Sequence, residues 1–293
     1  MQCIVLILTT ALSMGYIVSA EDVGPFTIMM NGQPLTKYVL SDNGSIKCCI
    51  RANRTSITLS GGGHIYLGES NSSTFSSDTF YQMNLLGKRL TFDVDMSGVG
   101  CNCNGALYLV SMPAYNSQQQ LQPGRNGEYY CDANQVGGTY CPEMDVMEAN
   151  KFAMASTAHT CQYDPPHYYP SCDRGGCGMN VLNVDFSGYG PGKSRIDTNK
   201  PFTLSVSFVT QNEKLTTVTN HLIQGSQSIK FDACNPDYLQ WMGKSLPEIV
   251  MTMSLWGTGN GGMSWLDGKS GCQGACDLSN SKVTFSNIRI DDI

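Results

Sequence analysis

Short stretches of alternating polar and apolar residues recur along this chain and limit what it can fold into. Residues 202–208 alternate at every position, and clusters of Gly, Asn and Pro separate such runs. Further runs are 90–95, 106–110, 249–256 and 283–290. Because helical periodicity is scarce, the pattern predicts an all-β domain of antiparallel sheets, a sandwich or a barrel. The continuous apolar run 106–110 predicts a strand buried on both faces, as in stacked sheets.

The amino-terminal segment has the composition of a secretory signal peptide. Residues 4–13 form an apolar run too short to span a bilayer, and residues 18–20 (Val-Ser-Ala) provide a small-residue cleavage site. We expect cleavage after Ala20, with residues 1–20 as the signal peptide; a buried N-terminal helix is the alternative. Neither an internal repeat nor a linker is evident, so one domain over residues 21–293 is predicted.

Thirteen cysteines favour a disulfide-stabilised secreted protein. Loss of Cys3 with the signal peptide leaves an even set of twelve, which implies about six disulfides. Zinc binding is the competing interpretation, but no Cys-x-x-Cys pair precedes a second pair or a His at ligand spacing, so no metal or cofactor is expected. Asn43, Asn53 and Asn71 begin glycosylation sequons, which agree with secretion from a eukaryotic cell.

The charge balance excludes some partners. The net charge is −6, only 14% of the residues are charged, and no basic patch is present. Nucleic acid and anionic membrane surfaces are therefore poor partners, whereas a neutral polymer suits such a surface. We expect a monomer.

Three carboxylates lie within six residues, at Glu143, Asp145 and Glu148, with Met and Val between them. In a regular strand Glu143 and Asp145 share one face, while Glu148 points to the apolar face, where an unpaired carboxylate is costly. A β-bulge near 146–147 returns Glu148 to the face of the other acids. The two Glu Cα atoms are then roughly 13 Å apart, so inclined side chains bring their carboxyl groups to about 5 Å.

A fixed pair of carboxyl groups is what acetal cleavage requires. One protonates the leaving oxygen and the other attacks the sugar carbon, and a separation of about 5 Å is typical of retaining glycoside hydrolases. Asp145 is placed to orient the nucleophile and to keep the acid protonated. The alternative is an acidic edge strand facing water; the interleaved apolar residues favour a packed strand.

Motifs along the chain resemble glycoside hydrolase family seven, the fungal-type cellulases. Residues 143–150 resemble the family's E-M-D-[IL]-W-E-A-N, and 157–161 resemble its T-P-H-x-C. Further similar segments follow in the family's order, namely 81–83, 91–95, 104–112, 189–192, 253–256, 265–267 and 282–288. The similarity covers about half of the mature chain.

The resemblance implies a concanavalin-like jelly-roll β-sandwich of two antiparallel sheets, with a substrate cleft on the concave face. It implies retaining hydrolysis of β-1,4-glucan, which we assign to the single domain predicted over 21–293, where neither a linker nor a carbohydrate-binding module is evident. Carried over by position, Glu143 is the nucleophile, Glu148 the acid/base and Asp145 the nucleophile's partner.

The resemblance also implies substrate contacts and disulfides. Trp256 and Trp265 would be sugar platforms, and Trp241 is assigned to structure. Expected sugar contacts also include His159, Tyr108, Asn104 and Asp132. For His159 and Tyr108, a purely structural role is the alternative. The implied disulfides are Cys131–Cys141, Cys161–Cys172 and Cys177–Cys234, with Cys101 bonded to Cys272 or Cys276; Cys48, Cys49 and Cys103 stay open.

Departures from the family pattern refine the expected activity. Met147 replaces the usual Trp before the acid/base, an expected Arg after Cys177 is absent, and the stretch between Cys131 and Cys141 is short. Short loops imply an open cleft and internal cutting, so we expect a secreted endo-β-1,4-glucanase. The alternatives are a cellobiohydrolase of the same family, a β-1,3-glucanase of the family sixteen type and a non-catalytic glucan-binding protein.

Overall fold

A computed structural model describes residues 21–41, 47–50, 54–72, 74–124, 128–162 and 167–293. The predicted signal peptide and the sequons at Asn43 and Asn53 lie outside these ranges. The first nine strands, β1–β9, are Glu21–Met30, Gln33–Ser41, Lys47–Ile50, Ser56–Ser60, Gly63–Gly68, Lys88–Gly98, Cys103–Val110, Glu143–Ala149 and Met154–His159. Strands β10–β17 are Cys177–Asn180, Tyr189–Gly190, Ile196–Asp197, Phe202–Gln211, Lys214–Gln224, Gln227–Asp232, Val250–Gly257 and Lys282–Asp292. The helices α1–α3 are Val181–Val184, Pro236–Met242 and Ser264–Asp267.

Fifteen strands form one continuous hydrogen-bonded sheet with the order β10-β9-β8-β7-β16-β5-β2-β1-β17-β6-β13-β14-β15, and β4 and β3 attach to β17. Its pairings are antiparallel except at β1, which runs antiparallel to β2 and parallel to β17. We call β10 to β2 the cleft half and β17 to β15 the outer half. Side chains of both halves, such as Leu107 and Phe92, belong to one buried core. The halves are thus two layers over a shared core, joined through β1.

The outer half follows the strict alternation of its sequence. In β13, Phe202, Leu204, Val206 and Phe208 are buried in the core, while the intervening residues are partly exposed. This is the pattern of a strand with one face on the core and one in water. The outward residues form hydroxyl ladders, as between Thr91 and Ser205 at 3.1 Å.

The cleft half is buried on both faces. All eight residues of β7 are buried. Leu107 and Leu109 join the shared core, whereas Ala106, Tyr108 and Val110 join a second apolar cluster on the opposite face. That second cluster is completed by aromatic side chains of the connecting segments, among them Phe75, Phe80 and Tyr130. The all-β fold and the doubly buried strand are confirmed.

Five disulfides join residues of the described ranges. They are Cys101–Cys272, Cys103–Cys276, Cys131–Cys141, Cys161–Cys172 and Cys177–Cys234. Cys101 therefore takes Cys272, and the open partner of Cys103 is Cys276. The side chains of Cys48 and Cys49 lie outside the described residues.

Two features bear on metals and membranes. Within the described part of the chain, one group of possible metal ligands comes close together, Cys101, Cys272 and Asp267. Its two cysteines are joined in a disulfide, so their sulfurs are not free thiolates for a metal. The helices described are all too short or too polar to cross a bilayer.

Candidate active site

The acidic strand β8 contains the bulge that strand parity predicts. Leu107 of β7 lies opposite Met147, while its neighbour Tyr108 lies opposite Asp145, so Val146 is an extra residue. The register between β8 and β9 shifts at the same place. Val146 and Met147 consequently both point into the core, where each is fully buried. The bulge returns Glu148 to the face that carries Glu143 and Asp145.

All three carboxylates line one cleft of about 750 Å³. The cleft crosses β9, β8, β7, β16 and β5, and its lining residues are His64, Ala106, Tyr108, Tyr130, Asp132, Asn134, Val136, Glu143, Asp145, Glu148, Thr157, His159, Arg174, Gly175, Ser254, Trp256 and Trp265. Such a volume is typical of ligand sites. Eight of the nine residues predicted to act on substrate line the cleft; Asn104 lies beneath it.

Glu148 is oriented from below by Asn104. The Asn104 side-chain amide donates a hydrogen bond to Glu148 Oε1 at 2.8 Å, and its Oδ1 accepts one from the Ala149 backbone N–H at 2.9 Å. Asn104 is completely buried, so its amide plane cannot rotate freely. The structure therefore gives Asn104 contact with the carboxyl group of Glu148.

Glu143 is held by the short loop between Cys131 and Cys141. The Ala133 backbone N–H donates to Glu143 Oε2 at 3.1 Å, and Glu143 itself is buried. The same loop places Asp132, Asn134 and Val136 along one wall of the cleft. A hydrogen bond from a neutral backbone donor stabilises the ionised carboxylate.

Asp145 forms an ion pair with His159 on the neighbouring strand. Asp145 Oδ2 lies 3.1 Å from His159 Nε2, and His159 Nδ1 lies 3.0 Å from the Asp173 carbonyl oxygen. Burial alone would lower the pKa of His159, but the hydrogen bond and the charge of Asp145 outweigh it and raise that pKa to about 9. His159 is therefore cationic at neutral pH and pairs with the negatively charged Asp145.

Both glutamates hold their protons more tightly than an ordinary carboxyl group. Burial raises the pKa of Glu148 well above its usual range, and the negative charge of Asp145 adds to this rise. Burial likewise raises the pKa of Glu143, with repulsion from Asp145, Asp132 and Glu148. Because neighbouring negative charges cannot all be accommodated in a buried site, the cluster retains a proton at a pH at which exposed carboxyl groups are ionised.

Two tyrosines and an aspartate lie together in the cleft lining. The hydroxyls of Tyr108 and Tyr130 lie 3.1 Å apart, and both rings are buried. Burial raises the pKa of the Asp132 carboxyl, while hydrogen bonds from the Val136 backbone and Tyr130 partly offset this. Tyr108 thus belongs to the cleft lining and to the apolar cluster beneath it.

Both predicted platforms line the cleft. Trp256 is partly exposed at the end of β16, and Trp265 is 49% exposed on α3. Buried Asp267 supports α3, since its Oδ2 accepts hydrogen bonds from the Asn102 backbone at 2.8 Å and from Asn150 at 2.9 Å. Trp241 instead lies on α2, outside the cleft lining, with Lys244 Nζ 4.0 Å above its ring.

The sequence interpretation missed several cleft residues. His64, Tyr130, Asn134, Ser254 and Arg174 line the cleft, and the Ala133 backbone holds Glu143. Ser254 had a usable signal, because it lies two residues before Trp256 on the same strand face. The other residues come from separate loops and strands, and no local pattern marks them.

The cleft is asymmetric about the acids. Glu148 lies opposite Ala106 of β7, Ala106 opposite Ser254 of β16, and Ser254 opposite His64 of β5. Three strands therefore extend the cleft on this side, which we call the long arm. On the other side, the short arm, the cleft is lined by Thr157 and His159 of β9, which pairs with β8.

Comparison with known proteins places this architecture in a family. The chain matches the model of glycosyl hydrolase family 7 over residues 42–137 and 133–244. It is 29% identical to the probable endo-beta-1,4-glucanase celB of Aspergillus terreus, a match that covers 83% of this chain and 74% of that protein. It is 33% identical to endoglucanase EG-1 of Hypocrea jecorina, over 74% of this chain and only 55% of that protein.

Solved structures share the fold. An endoglucanase I complexed with cellobiose is 22% identical, with a TM-score of 0.72 over 92% of this chain and 96% of that one. A family 7 cellobiohydrolase from Daphnia pulex is 19% identical, with a TM-score of 0.73 over 92% and 96%. At these identities the likeness establishes the β-jelly-roll fold, as the resemblance implies. With its family model, curated relatives and fold in agreement, this chain belongs to glycosyl hydrolase family 7.

Proposed function

We propose that this protein is a secreted, retaining endo-β-1,4-glucanase that cleaves internal bonds of cellulose or a related β-glucan. The observation that carries the proposal is the arrangement on β8, where the bulge places Glu143 and Glu148 on one face, at the floor of a cleft walled by Trp256 and Trp265. Family membership supports the glycosidase chemistry, and the names of the curated relatives support the substrate.

In the first step, Glu143 acts as the nucleophile. Its carboxylate forms a bond to the anomeric carbon while the glycosidic C–O bond breaks, and Glu148 gives its proton to the departing sugar oxygen. The hydrogen bond from Ala133 to Oε2 leaves Oε1 of Glu143 for attack. Asn104 orients Glu148 through Oε1.

In the second step, the ionised Glu148 takes a proton from water, and the resulting hydroxide oxygen bonds to the anomeric carbon. The bond from that carbon to Glu143 breaks, which frees the nucleophile and retains the anomeric configuration. The negative charge of Asp145 helps Glu148 to be protonated again, and His159 holds Asp145 in position.

The remaining cleft residues serve substrate binding in this proposal. Trp256 and Trp265 offer ring faces to the C–H faces of glucose units. Asp132, Tyr108 and His159 line the cleft, and we assign them contacts with sugar hydroxyl groups; we assign Asn104 an action on sugar through its hydrogen bond to Glu148.

Internal cutting is favoured by the short loop of the cleft wall. Only ten positions separate the disulfide partners Cys131 and Cys141, and that loop contributes side chains to a single wall. An open cleft admits the middle of a glucan chain. Chain-end action is the second candidate, because the structural relatives include the cellobiohydrolase from Daphnia pulex.

We place the protein outside the cell, with residues 21–293 as one catalytic domain after removal of residues 1–20. The disulfides are consistent with an oxidising compartment. Asn71 is exposed, as an acceptor of an N-linked glycan must be.

The decisive experiment compares wild type with Glu148→Gln and Glu143→Gln on carboxymethylcellulose, barley glucan and laminarin. Wild type should release reducing ends from the first two, and each variant should be slower by about 10³-fold or more. Asp232→Asn is a matched control, because Asp232 is an exposed carboxylate on β15. Cleavage of laminarin alone would indicate a β-1,3-glucanase, and binding without cleavage would indicate a glucan-binding protein.

Two further readouts test the mechanism and the mode of attack. Proton NMR of the first product should show the β-anomer, since double displacement retains configuration. Viscosity should fall rapidly for each reducing end formed, because one internal cut halves a chain. An α-anomer contradicts retention, and slow viscosity loss with cellobiose as the main product contradicts internal cutting.

A further inference from the structure

A second groove lies on the outward face of the outer half, in the other sheet layer from the cleft. Its volume is about 470 Å³. Strands β6, β13, β14 and β15 line it with three basic and three hydroxyl side chains, namely Arg89, His221, Lys230, Ser205, Ser207 and Thr219. These residues are far apart in the chain, so the basic patch exists only in the folded sheet.

The strand register brings the three basic residues together. His221 of β14 lies directly opposite Lys230 of β15, and on its other side it lies opposite Ser205 of β13. Arg89 of β6 lies opposite Ser207, and its Nε donates a hydrogen bond to the Ser207 hydroxyl at 3.2 Å. Burial lowers the pKa of His221, and the charges of Lys230 and Arg89 lower it further, so both cationic groups approach the imidazole.

The two permanent cations of the groove have no carboxylate partner in the protein. Within the described part of the chain, the ion pairs include neither Arg89 nor Lys230. Asp291 lies opposite Arg89 in the register, and Asp232 accepts a hydrogen bond from the Thr219 hydroxyl at 2.6 Å, but neither acid pairs with a groove cation. Arginine and lysine in this state can bind the carboxylates of a ligand.

The charge of the whole protein limits which anionic ligand fits. The net charge is −6, so a dense polyanion such as duplex DNA, with about one charge per 1.7 Å, is repelled by the rest of the surface. An acidic polysaccharide carries only one carboxylate on each sugar unit. Neighbouring strands are about 4.8 Å apart, which is close to the length of one sugar unit. The serine and threonine hydroxyls of the groove suit sugar hydroxyl groups.

We propose that this groove binds an acidic polysaccharide, a chain of uronic acid units whose carboxylates contact Arg89 and Lys230. The site is separate from glucan cleavage, because it lies on the other layer of the sheet and leaves the cleft open. It gives the protein a means of attachment to acidic polymers that does not depend on its catalytic acids.

The test measures binding of a galacturonate hexamer by isothermal titration calorimetry at low ionic strength. The double variant Arg89→Gln/Lys230→Gln should bind the hexamer about tenfold more weakly than wild type, since two exposed charge contacts are lost. The matched control Lys193→Gln/Lys214→Gln removes the same charge from exposed positions outside the groove and should bind within twofold of wild type. Equal losses in both variants, or no binding by wild type, would overturn the proposal.

The imidazole resonances show where the hexamer binds. Those of His221 should move when galacturonate hexamer is added, whereas those of His159 should stay in place, because His159 lines the cleft. Movement of His159 alone would place the ligand in the cleft and contradict the proposal. The double variant should also cleave barley glucan at the wild-type rate, and a loss of that activity would show that groove and cleft are not separate.

Other anions test the class of ligand. Galacturonate monomer should bind much more weakly than the hexamer, since it cannot contact both cations at once. Equal affinity of monomer and hexamer would reduce the groove to a site for a single anion and overturn the assignment of a polymer. Tighter binding of duplex DNA or of phosphatidylserine vesicles than of the hexamer would likewise overturn it.

Discussion

The outward faces of the two sheet halves carry similar residue types in different surroundings. On the outer half, polar residues such as Ser205 and Lys230 border open solvent. On the cleft half, loops and an aromatic cluster bury Asn104, Glu143 and Asp145, which are each 7% exposed or less. The two faces have the same secondary structure and differ in whether loops cover them. Removing water from a sheet face shifts the pKa values of its acids, and acids with shifted pKa values can serve in catalysis.

The largest difference between the halves is expected in kcat, when one carboxylate of each half is replaced by an amide. Asp145→Asn should lower kcat about 100-fold, because the charge that keeps Glu148 protonated and pairs with His159 is lost. It should also lower the pKa of Glu148, so the alkaline limb of the pH–rate profile moves to lower pH. Asp232→Asn on the outer half should change kcat less than twofold. Equal effects of both substitutions would show that coverage does not matter.

The two histidines of opposite faces should titrate far apart. His159 should lose its proton at about pH 9, whereas burial and the charges of Lys230 and Arg89 lower the pKa of His221 below its usual value. Imidazole resonances followed by NMR from pH 4 to 10 measure both. In Asp145→Asn the His159 resonance should titrate at lower pH while His221 stays unchanged; an unchanged His159 would argue against the ion pair.

The tryptophans offer a smaller contrast. Trp265→Ala should weaken activity on polymeric glucan about tenfold, as expected for loss of one stacked aromatic platform. Trp241→Ala removes a half-buried ring on α2, away from the cleft, and should leave kcat/KM unchanged even if it lowers the melting temperature. Activity assays at a temperature where both variants are folded separate the two effects. Loss of activity in Trp241→Ala at that temperature would contradict the assignment.

The smallest expected effect concerns stability. Replacing a buried acid and an exposed acid by amides should change the melting temperature in opposite directions. Burial raises the folded-state pKa of Glu143 above its ordinary value of 4.5, so its contribution to stability is present below that pH and is lost as pH rises through the folded-state pKa. Glu143→Gln should therefore raise the melting temperature at neutral pH. Hydrogen bonds from Gly192 and Asn199 lower the pKa of exposed Asp197, whose contribution is present above pH 3.8 and is lost as pH falls.

Asp197→Asn should accordingly lower the melting temperature slightly at neutral pH and have less effect in acid. Thermal unfolding of both variants and wild type between pH 3 and 8 measures the two slopes. If Glu143→Gln is less stable than wild type at neutral pH, the buried acid cluster is not strained by its charges.

Much of the fold was predictable because its signals are local. The alternation in β13 and the apolar run in β7 reflect the faces that each strand buries. The bulge was predictable from parity alone, since Glu148 would otherwise enter the core. Met147, which replaces the Trp of the family pattern, is fully buried in the core.

The rest of the site could not be predicted, because its members meet only after folding. His64 lies 79 positions before Glu143, yet both line one cleft. Ala133 contributes a backbone N–H, which every residue except proline has, so its type gives no signal. The partner of Cys101 depended on distances between loops, which spacing in the chain does not encode.

The amino-acid sequence by itself determined the strands, the face each strand buries and the place where the acidic strand must bulge, since side-chain alternation and the cost of a buried charge act within a few residues. The tertiary structure alone decided which loops cover the cleft half, that Ala133 and Asn104 hold the two glutamates, and that His159 pairs with Asp145. These depend on side chains brought together across strands, and their charges interact strongly only where folding has excluded water.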